Sequence, residues 1–168
     1  MEISLRLDVE VFDAKNIIKW LENKEVTKYL NEDVNSSPSL EYIVESNRSV
    51  LLTCYLNKDG RFFLIDSDTQ RCLGFITLFT VHKMKEYEIV VAIGEPENWG
   101  KEYAYHALKE ICRELFFSRR IEKLVANIHY ENIRSIKLFE KLKFKNEGLK
   151  GQHIHFAMTF GDYLKSLN

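Results

Sequence analysis

The chain has 168 residues, 45% of them apolar and 12% aromatic, with a net charge of −1. That is enough apolar material for one sizeable core, and it excludes a disordered tail, a disulfide-stapled mini-protein and a chain held to nucleic acid by bulk charge. Three cysteines (Cys54, Cys72, Cys112) share no paired spacing, so reduced thiols in a cytoplasmic protein are expected rather than a disulfide framework or a zinc knuckle.

Ile3, Leu5 and Leu7 alternate with polar neighbours, which predicts a first strand. Asp13 is placed to cap a helix reaching about Leu21, with Ile17, Ile18 and Leu21 on one face, and Asn23 ends it. A short helical turn through Val26 and Leu30 follows, then a polar loop over 31–38 and a helix over 39–46. The apolar run from Val50 to Leu56 fits either a buried helix end or a strand. Phe62–Ile65, Cys72–Val81 and Tyr87–Ile93 read as successive strands, with turns at 66–70 and 82–85. From Gly100 to Phe117 the stripe Ala104, Ala107, Leu108, Ile111, Cys112 and Leu115 predicts the clearest helix, with Lys109, Glu110, Arg113 and Glu114 opposite. Leu124–Ile128 is then a strand, Asn132–Leu142 a helix, and 144–149 and 153–160 closing strands. This order predicts a single α/β (α+β) domain over 1–168 around one mixed sheet.

No linker, repeat or long apolar run interrupts the chain. The charged first ten residues lack the apolar core of a signal peptide, so neither a leader nor a membrane partner is expected. Charge is uneven: residues 1–50 balance to −4, 51–100 to −2 and 101–168 to +5. Such a split suits an anionic ligand toward the C-terminal part and a cationic one toward the N-terminal part; ordinary surface scatter produces it too.

Two stretches could carry chemistry. Pro96 ends a strand and Trp99-Gly100-Lys101 opens the long helix, whose first turn leaves backbone N–H groups and partial positive charge for a phosphate. Asn132, with Ser135 three residues on, stands where the later helix begins, and a plain helix cap explains it equally. His153 and His155 share a strand face, but no third ligand is spaced to complete a site, so no metal is expected.

Together these stretches resemble the GNAT superfamily of acetyl-CoA-dependent N-acetyltransferases. The segment from Glu88 through Trp99-Gly100-Lys101-Glu102-Tyr103-Ala104 is similar to that family's fourth strand and pyrophosphate turn. Asn132-Ile-Arg-Ser135 through Phe139 to Phe144 is similar to its second signature. The wording Trp-Gly-Lys, with the N-terminal stretch Ile18 to Leu30, resembles the branch that acetylates N-termini of ribosomal proteins and related amines. The resemblance implies a mixed sheet of about six to seven strands flanked by about four helices. It also implies acetyl transfer from acetyl-CoA to a primary amine by direct attack in a ternary complex. Under it, Val91, Ala92 and Ile93 present amides from a bulged strand to the pantetheine and thioester. Trp99, Gly100, Lys101, Glu102, Tyr103 and Ala104 surround the pyrophosphate, Asn132 and Ser135 contact the cofactor, and Glu88 stands where some members carry the general base. A solvent-facing or salt-bridged Glu88 is the plainer alternative.

Three positions depart from the family pattern. Glu102 and Lys143 replace glycines, and Phe139 replaces the tyrosine proposed to protonate the leaving thiolate. A water or another phenol (Tyr130, Tyr103 or Tyr105) could act instead, the step could need no acid, or catalysis could be lost. A non-catalytic acyl-CoA-binding or regulatory module is therefore the rival expectation. The resemblance puts the acceptor cleft between residues 23–37 and 148–153, where Glu25, Glu32 and Asp33 favour a cationic amine such as a polyamine, an aminoglycoside or a peptide N-terminus. A monomer or a homodimer is expected.

Overall fold

A computed structural model describes residues 3–30, 37–46, 50–81 and 85–167. Seven strands form one sheet: β1 (Ile3–Arg6), β2 (Gly60–Ser67), β3 (Cys72–Thr80), β4 (Glu86–Ile93), β5 (Lys123–His129), β6 (Lys145–Lys150) and β7 (His153–Thr159). Their spatial order is β1-β2-β3-β4-β5-β7-β6, all neighbours antiparallel except β4 and β5. Seven α-helices accompany them among the described residues: α1 (Val11–Glu22), α2 (Lys24–Thr27), α3 (Ser37–Glu45), α4 (Val50–Leu56), α5 (Tyr103–Arg113), α6 (Ile133–Lys141) and α7 (Phe160–Ser166).

The mixed α/β architecture matches the sequence reading, with one open alternative settled and three corrections. Val50–Leu56 is a helix, its alternatives settled by Leu52 packing fully buried against α1, β2 and β3 partners such as Trp20 and Phe75. Asp13 does not cap α1. It lies three residues inside, where its Oδ2 accepts the Glu10 N–H at 2.9 Å. The long helix starts at Tyr103, not Gly100, because Gly100 and Glu102 both have positive φ (79° and 63°), and it ends in a wider turn over Glu114–Ser118. Residues 160–166, absent from the sequence reading, form a helix opened by Thr159 Oγ1 and Asp162, which exchange bonds across the first turn. Most of the predicted turn over 82–85 and most of the loop over 31–38, with Glu32 and Asp33, lie outside the described residues.

Each face of the sheet carries its own core. On one, Ile89, Leu124, Ala126 and Ile128 pack beneath α5 (Ala107, Leu108, Ile111) and Phe139 of α6. On the other, Phe62, Leu64, Phe75 and Ala92 pack beneath α1 (Ala14, Ile17, Trp20) and Leu40 and Leu52 of α3 and α4. The Arg6 guanidinium fastens β1 to both neighbours, bonding buried Asp13 of α1 and Asp66 of β2 at 2.8 Å each. Those two carboxylates push its pKa well above the ordinary value.

The C-terminal end of α1 is seated on the strand that matters most for the site. Gly94 follows β4, and a Cβ there would lie 2.0 Å from the Trp20 ring, so only hydrogen leaves room for the indole. Trp20 Nε1 donates to Glu95 at 3.1 Å and Lys19 pairs with the same carboxylate at 2.9 Å. Those two bonds, Lys19 foremost, hold the Glu95 carboxyl below its usual range. Asn23 then ends α1 and caps α2 by accepting the Glu25 N–H at 3.0 Å. This carries Glu25, Val26 and Tyr29 across the face of β4.

Candidate active site

The parallel pair is the weak point of the sheet, and the site is built on it. β4 and β5 are paired only from Glu86–Lys123 to Glu88–Val125; beyond that the strands part. β4 meanwhile keeps an uninterrupted register with β3 as far as Gly74–Ile93. The Gly94 N–H bonds the Leu73 carbonyl at 2.9 Å, so ladder alternation turns residues 92 and 90 toward β3 and residues 93 and 91 toward the gap. Val91 and Ile93 thus present backbone polar groups on an unpaired inner edge. Ala92 lines the cavity, but its amide serves β3. The free edge comes from diverging strands, with no bulge between β3 and β4.

A cavity of about 350 Å³ occupies this gap. Its lining comes from both faces of the sheet: Trp99, Gly100, Glu102, Tyr103 and Ala104 at the head of α5 and Asn132, Ser135 and Phe139 of α6 on one side, Glu25, Val26 and Tyr29 on the other. A passage through the sheet between parted strands lets two ligands meet from opposite faces. On the α5 side, no side chain caps the helix, and Gly100 meets nothing within 4 Å where a Cβ would stand. Its first-turn N–H groups and the positive end of the helix dipole are therefore open to an anion. Arg134, Lys137 and Lys141 of α6 line the same mouth.

Two contacts bridge that mouth. The Arg134 guanidinium lies 3.6 Å over the centre of the Trp99 ring, and Trp99 Nε1 donates to the Ile93 carbonyl at 2.8 Å. Burial draws the Arg134 pKa below its ordinary value. The Glu102 carboxylate pairs with Lys141, half-exposed, which lowers the Glu102 pKa and turns its charge toward α6. Glu102 and Lys143 both take the left-handed conformation (φ 63° and 67°) that a glycine adopts freely.

The sequence-named residues divide cleanly. Val91, Ala92, Ile93, Trp99, Gly100, Glu102, Tyr103, Ala104, Asn132 and Ser135 all line the cavity. Lys101 does not; its ammonium is bonded to Asn98 Oδ1 at 3.2 Å. Glu88 is half-buried at the last paired position of β4, beside rather than on the cavity wall. Asn132 caps α6 through the Ser135 N–H (3.2 Å) and also lines the cavity. Phe139 is 2% exposed, its ring 4.9 Å from that of Phe144. Tyr103 and Tyr105 line the cavity, while Tyr130 stacks on His129 outside it.

Sequence reasoning missed Tyr29, Asn127 and Arg134. Tyr29 stacks on His129 at 5.3 Å, and Asn127 stands on β5 where the strands have parted. No spacing rule marks Tyr29 and Asn127, because strand divergence and the seat of α1 bring them to the gap, while the place of Arg134 over Trp99 is set only when α6 packs beside the turn before α5. Among the described residues, no group of three or more His, Cys, Asp and Glu side chains is arranged to hold a metal. No helix among them is long and apolar enough to cross a membrane.

The sheet is thus split at its one parallel pair, with an uncapped helix N-terminus at the mouth of the split that suits an anionic ligand. Residues 5–145 match the acetyltransferase (GNAT) domain family, and the chain belongs to that family. It is an N-acetyltransferase-type acyltransferase, and the donor its family uses is acetyl-CoA. Among its relatives, the uncharacterized N-acetyltransferase p20 of Bacillus licheniformis is 27% identical over 149 residues, covering 84% of this chain and 78% of that protein. The uncharacterized N-acetyltransferase YoaA of Bacillus subtilis is 26% identical over 149 residues, covering 85% and 80%. In fold, the chain is similar to a GNAT-family acetyltransferase from Bacillus anthracis (TM-score 0.77, 18% identity, 96% of each chain). It is also similar to the spermidine N-acetyltransferase of Vibrio cholerae in complex with CoA and spermine (TM-score 0.76, 20% identity, 96% of this chain and 98% of that one).

Proposed function

We propose that the protein transfers an acetyl group from acetyl-CoA to a primary amine, either a small cationic amine or a protein N-terminus, by direct attack within a ternary complex. The observation that carries this reading is the cavity passing through the sheet, with an anion-holding mouth on one face and Glu25 on the other. When bound, acetyl-CoA supplies a thioester carbonyl carbon for attack. The head of α5, with Arg134, Lys137 and Lys141, holds its phosphates. Val91 and Ile93 offer main-chain groups along the gap, where N–H groups stabilise charge developing on the carbonyl oxygen. Asn132 and Ser135 contact the pantetheine arm.

On the other face, Glu25 attracts the acceptor cation and Tyr29 walls its path. Glu88 takes the proton from the ammonium through water, since it stands beside the cavity. Cys72 and Cys112 are buried, their thiols pushed up to about 12 by desolvation, and none of the three cysteines lines the cavity. This supports transfer straight to nitrogen without an acyl-thiol intermediate. The similarity to a structure solved with spermine supports a small amine as acceptor. The branch resemblance at Trp99-Gly100-Lys101 supports a protein N-terminus as the second candidate class.

Calorimetry with acetyl-CoA, paired with a thiol-release assay over an amine panel, tests the proposal. Binding with amine-dependent thiol release is expected. Binding without turnover on any amine would make the protein the non-catalytic module that Glu102 and Phe139 raise as the rival.

A further inference from the structure

We propose that Asn127, held by His155, reads an oxygen atom on the acceptor. The protein then favours amines bearing a carbonyl or hydroxyl near the nitrogen, such as aminoacyl amides or amino sugars, over plain alkyl polyamines. This rests on the acetyl-transfer reading and narrows its acceptor class.

Alternation along β5 sends Ala126 and Ile128 into the core under α5 and α6, so Asn127 projects to the opposite face, where Glu25 and Tyr29 of the α2 segment close over the gap. Asn127 is exposed and lines the cavity. Its Oδ1 lies 2.7 Å from His155 Nδ1, on the register partner across β7. An amide oxygen carries no proton, so the ring nitrogen donates. His155 takes one lone pair of Oδ1 and fixes the amide's orientation, and among the described residues nothing accepts from the NH2, which is free to donate to a ligand.

The clamp is built to survive a change of charge. His155 Nε2 faces Glu147 at 3.5 Å, and Glu147 is held by Lys123 at 3.1 Å; Glu88 and Lys150 act on the ring from farther off. If His155 takes a proton, both ring nitrogens donate, and Nδ1–H stays on Asn127 while Nε2–H turns to Glu147. Asn127 therefore offers donors in either state. The NH2 presented to the acceptor repels an ammonium and matches an oxygen lone pair, while Glu25 across the cavity matches the ammonium. The two together select a cation with an oxygen beside it.

The test measures kcat and KM by thiol release with acetyl-CoA and two acceptors, alaninamide and 1,4-diaminobutane. The wild type should favour alaninamide. Asn127→Leu should raise the alaninamide KM about tenfold, the yield of one hydrogen bond, and leave the diamine within about twofold. Asn127→Asp should reverse the preference. His155→Leu should reproduce part of the loss, and His155→Asn, which keeps an N–H near the position of Nδ1, should restore it. Thermal melts confirm that each variant is folded. A wild type that favours the diamine, an Asn127→Leu loss equal for both amines, or His155→Asn no better than His155→Leu would overturn the inference while leaving acetyl transfer intact. Failure of the wild type to bind acetyl-CoA or to release thiol with any amine would bring down the transferase reading itself.

Discussion

Gly94→Ala is a one-carbon change with a long reach. The new methyl carbon would lie 2.0 Å from two Trp20 ring carbons and 2.4 Å from Nε1. Ordinary carbon contact is about 3.5 Å, so the indole must withdraw by roughly 1.5 Å. Trp20 is 2% exposed, which leaves it nowhere to go without moving α1. Overpacking of this kind costs about 1–3 kcal/mol. Weakening the Trp20–Glu95 bond, charge-assisted but partly solvated, adds about 1 kcal/mol. A loss of about 2–4 kcal/mol lowers the Tm of a chain this size by roughly 5–15 °C, read by calorimetry. Because α1 leads directly into α2, the acceptor KM should rise more than the acetyl-CoA KM. Trp20→Ala costs about 3–5 kcal/mol by itself, but in that background Gly94→Ala should add almost nothing. A Gly94→Ala protein as stable as the wild type, or one equally harmful with and without Trp20, would refute the reasoning.

Phe139→Tyr adds a hydroxyl to a ring on the cavity wall; kcat should rise about tenfold at unchanged KM if sulfur protonation limits turnover, with Tm within about 4 °C of wild type. An unchanged kcat in steady-state assays would show that protonation of the sulfur is served elsewhere or is fast. Arg134→Ala removes the guanidinium over Trp99 and one cation from the anion mouth, so the acetyl-CoA KM should rise about threefold at low salt and less at high salt. Burial, then Lys150, lowers the His155 pKa, so the unfolded chain protonates first as pH falls below its ordinary value of 6.5. The neutral ring's contribution to stability is complete above that value and is lost toward the lower folded pKa. His155→Leu should flatten the decline seen in melts across that acid window.

Much of the fold was legible because its physics is local. The α5 stripe, the Val-rich β4 and the apolar β3 announce themselves through periodicity, and the Asn132–Ser135 cap needs only its own turn. Local reasoning failed where a neighbour overrode it. Val50–Leu56 suits strand or helix until α1 and the sheet supply a surface for Leu52. Asp13 looked like a cap because its bonds to Arg6, only seven residues earlier, form only once β1 has paired in the sheet beside α1. Lys101 reads as a phosphate ligand in the motif but is drawn to Asn98 once the turn closes.

The order of residue types along the chain determines by itself that β4 is followed by a glycine-containing turn and then a long helix, since glycine permissiveness and hydrophobic periodicity act within a few residues. Only the tertiary structure decides that β4 and β5 part after Glu88–Val125, which opens the cavity and brings Glu25, Tyr29 and Asn127 to its far side. Strand divergence depends on how two packed cores, one on each face, tilt their strands apart. No window of sequence contains both cores.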